Sequence, residues 1–281
     1  MPEFLSVVVY QKVLARIEKK PNLSSGTADI IESLKRTDIW LFFAWSDTRA
    51  RYLRSFLGPL WLTLGTAIGA AGLGFLWSAL LGQDKATVIP SITAGLVVWQ
   101  LVSGVIVTST GVFPSNAGLI RNMPLPYFLH QLQLVSQLLV NYSHNILVVV
   151  LVSLIFSVGV GWANLLVIPG LLLAIINLLW ISLLVGMLSA RFRDIEPMVQ
   201  SLMPLLFFLT PVLYRPDQVG FSSIILMVNP LTHIFLPIRE PMLGAAPAGI
   251  TWVVSISMAM GGWAFTLWFF NRHRHRIPFW V

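Results

Sequence analysis

The chain has 281 residues, 56% of them hydrophobic and only 10% charged, with 11 Trp, 17 Phe and a net charge of +7. A soluble domain carries about 25% charged residues, so this composition excludes one and selects an integral membrane protein. Cysteine is absent, which excludes a disulfide framework and thiolate metal or redox chemistry.

Residues 1–37 are expected in the cytosol. The apolar run Phe4–Tyr10 precedes the basic residues and no small-residue cleavage site follows, so the segment does not read as a secretory signal. A weakly amphipathic helix (Phe4, Val8, Leu14 and Ile17 among Lys12, Arg16 and Glu18) and a Pro21–Thr27 linker fill it. From Asp38 the pattern changes. Ile39, Trp40, Phe42, Phe43, Trp45, Tyr52 and Phe56 sit among charges, the composition of a helix lying in the headgroup plane. This interface helix, 38–54, carries the basic cluster Arg49, Arg51 and Arg54. An uncharged run, Phe56–Leu81, then begins, long enough at about 1.5 Å per residue to cross ~30 Å of hydrocarbon. As a collar at the start of a span, the arginines suit a positive-inside anchor as well as a binding role.

Six spans are predicted, at about 56–81, 87–113, 128–159, 164–189, 198–214 and 250–270. The apolar segments are long and uninterrupted, so the fold class is an all-α membrane bundle rather than a β-barrel. Gly82–Lys85 turns between spans one and two, and the loop NAGLIRNMPLPYF joins spans two and three. The charged stretch Arg191–Glu196 precedes span five, and a basic tail, Asn271–Arg276, follows span six. With the N-terminus inside, 15 of the 18 Lys and Arg fall on the cytosolic side, leaving Lys85, Arg215 and Arg239 outside. Both termini are therefore expected in the cytosol. The stretch between spans five and six is too apolar for water and too rich in proline to cross. Two short re-entrant helices, about 219–228 and 231–243, broken at Asn229-Pro230, satisfy it, with a loop on the outer leaflet as the alternative. No internal repeat is visible, which disfavours an inverted-repeat carrier.

The chemistry available is sparse. There is no G-x-x-x-x-G-K-[ST] loop to cradle nucleotide phosphates, no H-E-x-x-H, and no carboxylate cluster. No acid lies well inside a predicted span and only His144 is ionisable near a midplane, so ion coupling is disfavoured and the energy must come from another molecule. Gln133, Gln137, Asn141, His144 and Asn145 form a stripe along one face of span three, either interhelical glue or a conduit wall. The histidines lack metal-ligand spacing, and His273 and His275 are placed in a solvated tail. The stiff loop around Ala117–Asn122, ended by Met123-Pro124, and the Arg191–Pro197 loop are candidate grips for a cytosolic partner. Aromatics in spans one and five, Trp61, Phe75, Trp77, Phe207, Phe208 and Tyr214, suit a membrane belt or a surface for stacking sugars.

YLRSFLGPLWLTLGTAIGAAGLGFLW, LIRNMPLP, ARFRDIEPMVQSLMPLLFFLTPVLYRPDQV and NPLTHIFLPIREPMLG resemble, in order, the permease subunits of type-2 ABC exporters, most closely those for O-antigen, capsule and teichoic acid. The resemblance covers residues 38–271, flanked by a cytosolic segment 1–37 and a cytosolic tail 272–281. It implies a homodimer in the bacterial cytoplasmic membrane paired with two separate ATPase subunits, which hold ATP and Mg. No cofactor or metal is implied in this chain, and neither catalysis nor nucleic-acid binding. Arg49, Arg51 and Arg54 would hold the pyrophosphate of a polyprenyl-linked glycan, for which planar guanidinium is suited. Gly118, Leu119, Ile120, Arg121, Asn122, Met123 and Pro124 would form the coupling helix, supported by Arg191, Arg193, Asp194 and Glu196. The six aromatics would line the channel, and Asn229, Pro230, Arg239 and Glu240 belong to the gate helices. The N-terminal 30 residues have no counterpart in the resemblance. The rival readings are a type-2 exporter of small hydrophobic drugs or lipids, a membrane enzyme acting on lipid-linked sugars, and a self-standing channel.

Overall fold

The computed structural model describes residues 25–53, 55–56, 58, 60–215 and 223–281; the helix expected near residues 4–18, Arg54 and residues 219–222 of the first gate helix lie outside the described residues. Within them every regular element is helical. Two helices precede the first long apolar helix, α1 (Gly26–Lys35) and α2 (Thr37–Tyr52). Gly26 and Thr27, expected in a linker, instead open α1, because Ser25 supplies an N-cap whose Oγ accepts from the Ala28 N–H at 3.0 Å.

α3 (Leu60–Leu81) and α4 (Lys85–Ser109) form a hairpin whose turn needs a left-handed residue, supplied by Gly82 at φ 61°. Two short helices, α5 (Val112–Ser115) and α6 (Ala117–Asn122), lead to α7 (Phe128–Ile155). Met123, preceding Pro124, is extended and ends α6 as proline sterics require. A 3₁₀ turn, Trp162–Leu166, opens α8 (Val167–Arg191), followed by α9 (Ile195–Leu209), α10 (Ser223–Val228) and α11 (Pro230–Met242). The chain finishes with α12 (Gly249–His273), a 3₁₀ turn at Arg274–Arg276, and α13 (Ile277–Trp280).

Among the described residues five helices are long and apolar enough to cross a membrane, not six: α3, α4, α7, α8 with its 3₁₀ turn, and α12 continued to Trp280. The fifth predicted span is a 15-residue helix, α9. At about 1.5 Å per residue it covers roughly 22 Å, short of the ~30 Å of hydrocarbon. Hydropathy overran it because the stretch after it stays apolar: Thr210 and Val212 are fully buried and Leu213 nearly so. That irregular backbone is covered by protein, which is the condition for non-helical chain at membrane depth.

α4 is the centre of the bundle. Sixteen of its 25 residues are buried, and it packs against α3, α7, α8, α9 and α11. Its buried residues fall on most sides of the axis, with Gln100 and Thr108 left exposed, as a largely enclosed helix shows. Two glycines set the closest approaches. A Cβ on Gly95 would run into the Val212 carbonyl, and one on Gly170 into the Pro237 carbonyl. Small residues of this kind let membrane helices pack backbone to backbone.

Candidate coupling and translocation sites

A helix foreseen at about 231–243 is present as α11, and it is well enclosed. Asn229 is its N-cap, Oδ1 accepting from Leu231 N–H at 3.0 Å while Nδ2 donates to Thr210 Oγ1 at 2.9 Å, and Pro230 occupies the first helical position. Eleven of its 13 residues are buried. Arg239, expected on the outer side within the second re-entrant helix, is 1% exposed. Its Nη2 donates to Ser91 Oγ at 2.8 Å and to the Tyr214 carbonyl at 3.0 Å, and Glu240 follows at the edge of the helix. A buried guanidinium is tolerable only with such partners, so Arg239 pins α11 to α4 and to the chain leaving α9.

The aromatics expected to share one path divide into two sets. Trp61 and Phe75 on α3 and Phe208 on α9 are exposed, whereas Trp77, Phe207 and Tyr214 are half-buried in the bundle. Phe207 sits edge-on between Trp99, at 5.6 Å, and Phe208, at 5.4 Å. Lys85 Nζ lies 5.3 Å from the Phe75 ring centre. The exposed set extends an apolar surface on α3 that includes Leu64, Ile68 and Leu76.

α2 runs beside α7. Ile39 is buried in a cluster with Leu125 and Leu129, while Leu41 and Trp45 are exposed, so the helix is apolar on two sides rather than one. Arg49 and Arg51 are both exposed near its end. Arg49 borders an apolar cavity of about 430 Å³ with Trp45, Tyr52, Val140 and His144. The polar stripe of α7 splits by role. Asn145 donates to Gln100 Oε1 at 2.7 Å, and Gln100 meets Thr66 at 3.2 Å, tying α7, α4 and α3 together. Gln133 donates to Asp47 Oδ2 at 2.6 Å, and Gln137 borders a polar cavity beside it.

At the end of the bundle where α4 gives way to α7, α6 stands out. Gly118, Arg121, Asn122, Met123 and Pro124 are exposed, Leu119 is half-buried, and Ile120 anchors the turn. Arg191, Arg193, Asp194 and Glu196 are exposed nearby at the α8–α9 junction. What joins the two elements is the chain end, which is anchored at Arg274 and Ile277 while Arg272, His275 and Arg276 stay exposed as expected. Ile277 is fully buried, the Arg191 guanidinium lies 5.5 Å from the Trp280 ring centre, and Arg121 donates to the Val281 carbonyl. His273 rests on Phe269 with ring centres 4.4 Å apart. Within IPFW, Ile277 supplies the anchor, Pro278 and Trp280 are half-buried, and Phe279 is exposed.

A second tie went unseen in the sequence. Asp29 on α1 is fully buried, its two oxygens accepting from the Tyr127 and Phe128 N–H groups at 3.1 and 3.0 Å. These are orphan donors at the start of α7, capped from 98 residues away. Burial pushes the Asp29 carboxyl up to about 6, against the opposing effect of those N–H groups and of Arg274. Arg274 in turn donates to the Ser25 carbonyl at 2.9 Å, and Gly26 N–H donates to Asn271 Oδ1 at 2.6 Å. Only the acid in the first turn of α1 hinted at a capping role.

Comparison with known proteins places this geometry. The ABC-2 type transporter family matches residues 40–243. An O-antigen export system permease protein RfbA of Klebsiella pneumoniae is 25% identical over 207 residues, covering 72% of this chain and 79% of that protein. A protein of the same name in Myxococcus xanthus is 22% identical over 225 residues, covering 74% and 86%. The family match takes in the collar, the coupling element and α11, and leaves out α1 and the packed chain end. The chain belongs to the ABC-2 type transporter family.

Proposed function

We propose that the chain is the permease subunit of an ATP-driven exporter that moves a lipid-linked polysaccharide out across a bacterial cytoplasmic membrane, with both termini in the cytosol. The observation that carries this reading is the similarity to O-antigen export permeases along nearly three quarters of the chain. The chain has no phosphate-binding loop of its own, so two separate ATPase subunits, with their ATP and Mg, supply the energy. They grip exposed α6 and the Arg191–Glu196 junction, and the packed chain end makes these move as one body. Two copies face each other through the free apolar surfaces of α3 and α9, where Trp61, Phe75 and Phe208 line the path. α9 with its buried extension acts as the fifth of six spans, and α10 and α11 form the outer gate. Arg49, Arg51 and Arg54 hold the pyrophosphate of a polyprenyl-linked glycan, Arg49 from beside an apolar cavity suited to the lipid.

Deleting the gene in its host should abolish the surface glycan and leave lipid-linked polymer in the cytosol. Unchanged surface glycan with new sensitivity to hydrophobic compounds would instead favour an exporter of drugs or lipids. Charge reversal at Arg49, Arg51 and Arg54 should abolish export while the ATPase still co-purifies; normal export would reject the phosphate role. Replacing Arg121–Leu125 with Gly and Ser should lose the ATPase from the purified complex, and normal co-purification would reject the coupling role.

A further inference from the structure

On the side of α2 away from Arg49 lies a second cavity, of about 370 Å³, where the cytosolic ends of α4, α7 and α9 converge. That volume falls in the range of about 300–1,000 Å³ typical of small-molecule sites. Asp47, His130, Gln133, Gln137, Glu196 and Gln200 border it. Asp47 and Arg49 are two residues apart, about 200° around a helix, so the two cavities receive opposite faces of α2.

The polar groups come as carboxylate–amide pairs: Gln133 donates to Asp47 at 2.6 Å, and Gln200 to Glu196 at 3.3 Å. Some capacity is unused. His130 is 1% exposed and interacts on one side with Gln133, and among the described residues no partner meets the rest of the imidazole. Enclosed polar atoms without partners cost free energy that a hydroxyl-bearing ligand would recover. Among the described residues no Lys or Arg borders the cavity, and two carboxylates do, which disfavours a phosphate there. Among the described residues no group of three His, Cys, Asp or Glu is placed to hold a metal ion. Carboxylates that accept, beside amides and an imidazole that both donate and accept, match neighbouring sugar hydroxyls, which do both.

We propose that this recess is a sugar subsite, holding an uncharged, hydroxyl-rich unit of the glycan at the cytosolic mouth while the pyrophosphate goes to the opposite side of α2. The inference rests on the polysaccharide-export reading above. The test uses cells carrying the complete exporter, with a benzophenone amino acid at Gln137 and, as control, at exposed Val160. Illumination should attach glycan at position 137 and none at 160. The pair Gln137→Leu with Gln200→Leu should cut surface glycan about tenfold, the effect of losing one to two hydrogen bonds, and Gln137→Asn should restore most of it. Absence of glycan crosslinking at 137, or full export by the leucine pair, overturns the subsite. If the leucine pair fails to reach the membrane, the crosslink alone decides. Gene deletion separates the two levels: glycan lost on deletion but unaffected by the leucine pair removes only the subsite, whereas glycan unaffected by deletion removes the export reading as well.

Discussion

α3 and α4 are neighbours in sequence with nearly equal mean hydropathy, 1.5 and 1.7, yet 17% of one is buried and 67% of the other. Hydropathy measures what a helix can tolerate, and both tolerate hydrocarbon. What separates them is whether their own chain has covered them. α4 carries close-packed Gly95 and a hydroxyl, that of Ser91, bonded to α11, the marks of a helix specified for protein neighbours. α3 carries Trp61, Ile68 and Phe75 outward, with Gly65, Gly69 and Gly72 open to space, the marks of a surface awaiting lipid or a second copy.

Substitutions sharpen the contrast. Gly95→Ala should destabilise the isolated chain by about 3 kcal/mol, because the new methyl meets backbone rather than a movable side chain. Gly69→Ala, with nothing near it, should stay within about 0.5 kcal/mol. Thermal unfolding of the two variants in detergent checks this; equal losses would break the comparison. Arg239→Met should cost about 2 kcal/mol by leaving the Ser91 hydroxyl and Tyr214 carbonyl unmet at the α4–α11 contact. Limited proteolysis after Tyr214 would read that loosening.

Asp29 offers a pH-dependent test outside the membrane. Its carboxyl is raised from 3.8 to about 6, so the folded state binds a proton that the unfolded chain has released. Stability from this position is therefore greatest near pH 4 and declines as pH rises through about 6. Asp29→Asn should flatten that slope in hydrogen exchange of the Tyr127 and Phe128 amides; an unchanged slope would assign it to another group. A small effect also belongs to the polar thread between the contrasted helices. Asn145→Ala should cost about 0.6 kcal/mol, the mean for hydrogen bonds inside membrane bundles.

How far the sequence could be read follows from the range of each signal. Asn229-Pro230 announced the start of α11 because a cap and a first-turn proline are local chemistry. The α6 stop at Met123-Pro124 was legible for the same reason. Gln133, Gln137 and Asn145 were found as a stripe by helical spacing, but spacing could not show that one ties helices while the others face a recess. The length of α9 was overread because buried irregular chain is as apolar as helix. Asp29 and the chain end were missed because their partners lie far away in sequence, and no local pattern encodes a cap supplied from another element.

On the proposed function, this chain moves glycan only with a separate ATPase engaged at α6 and the α8–α9 junction. Reconstitution into vesicles, with and without the cognate ATPase, measures it most directly by following ATP hydrolysis and glycan translocation together. Both activities should be present when the two proteins are combined and absent from the permease alone. Hydrolysis or transport by the permease alone would contradict the account.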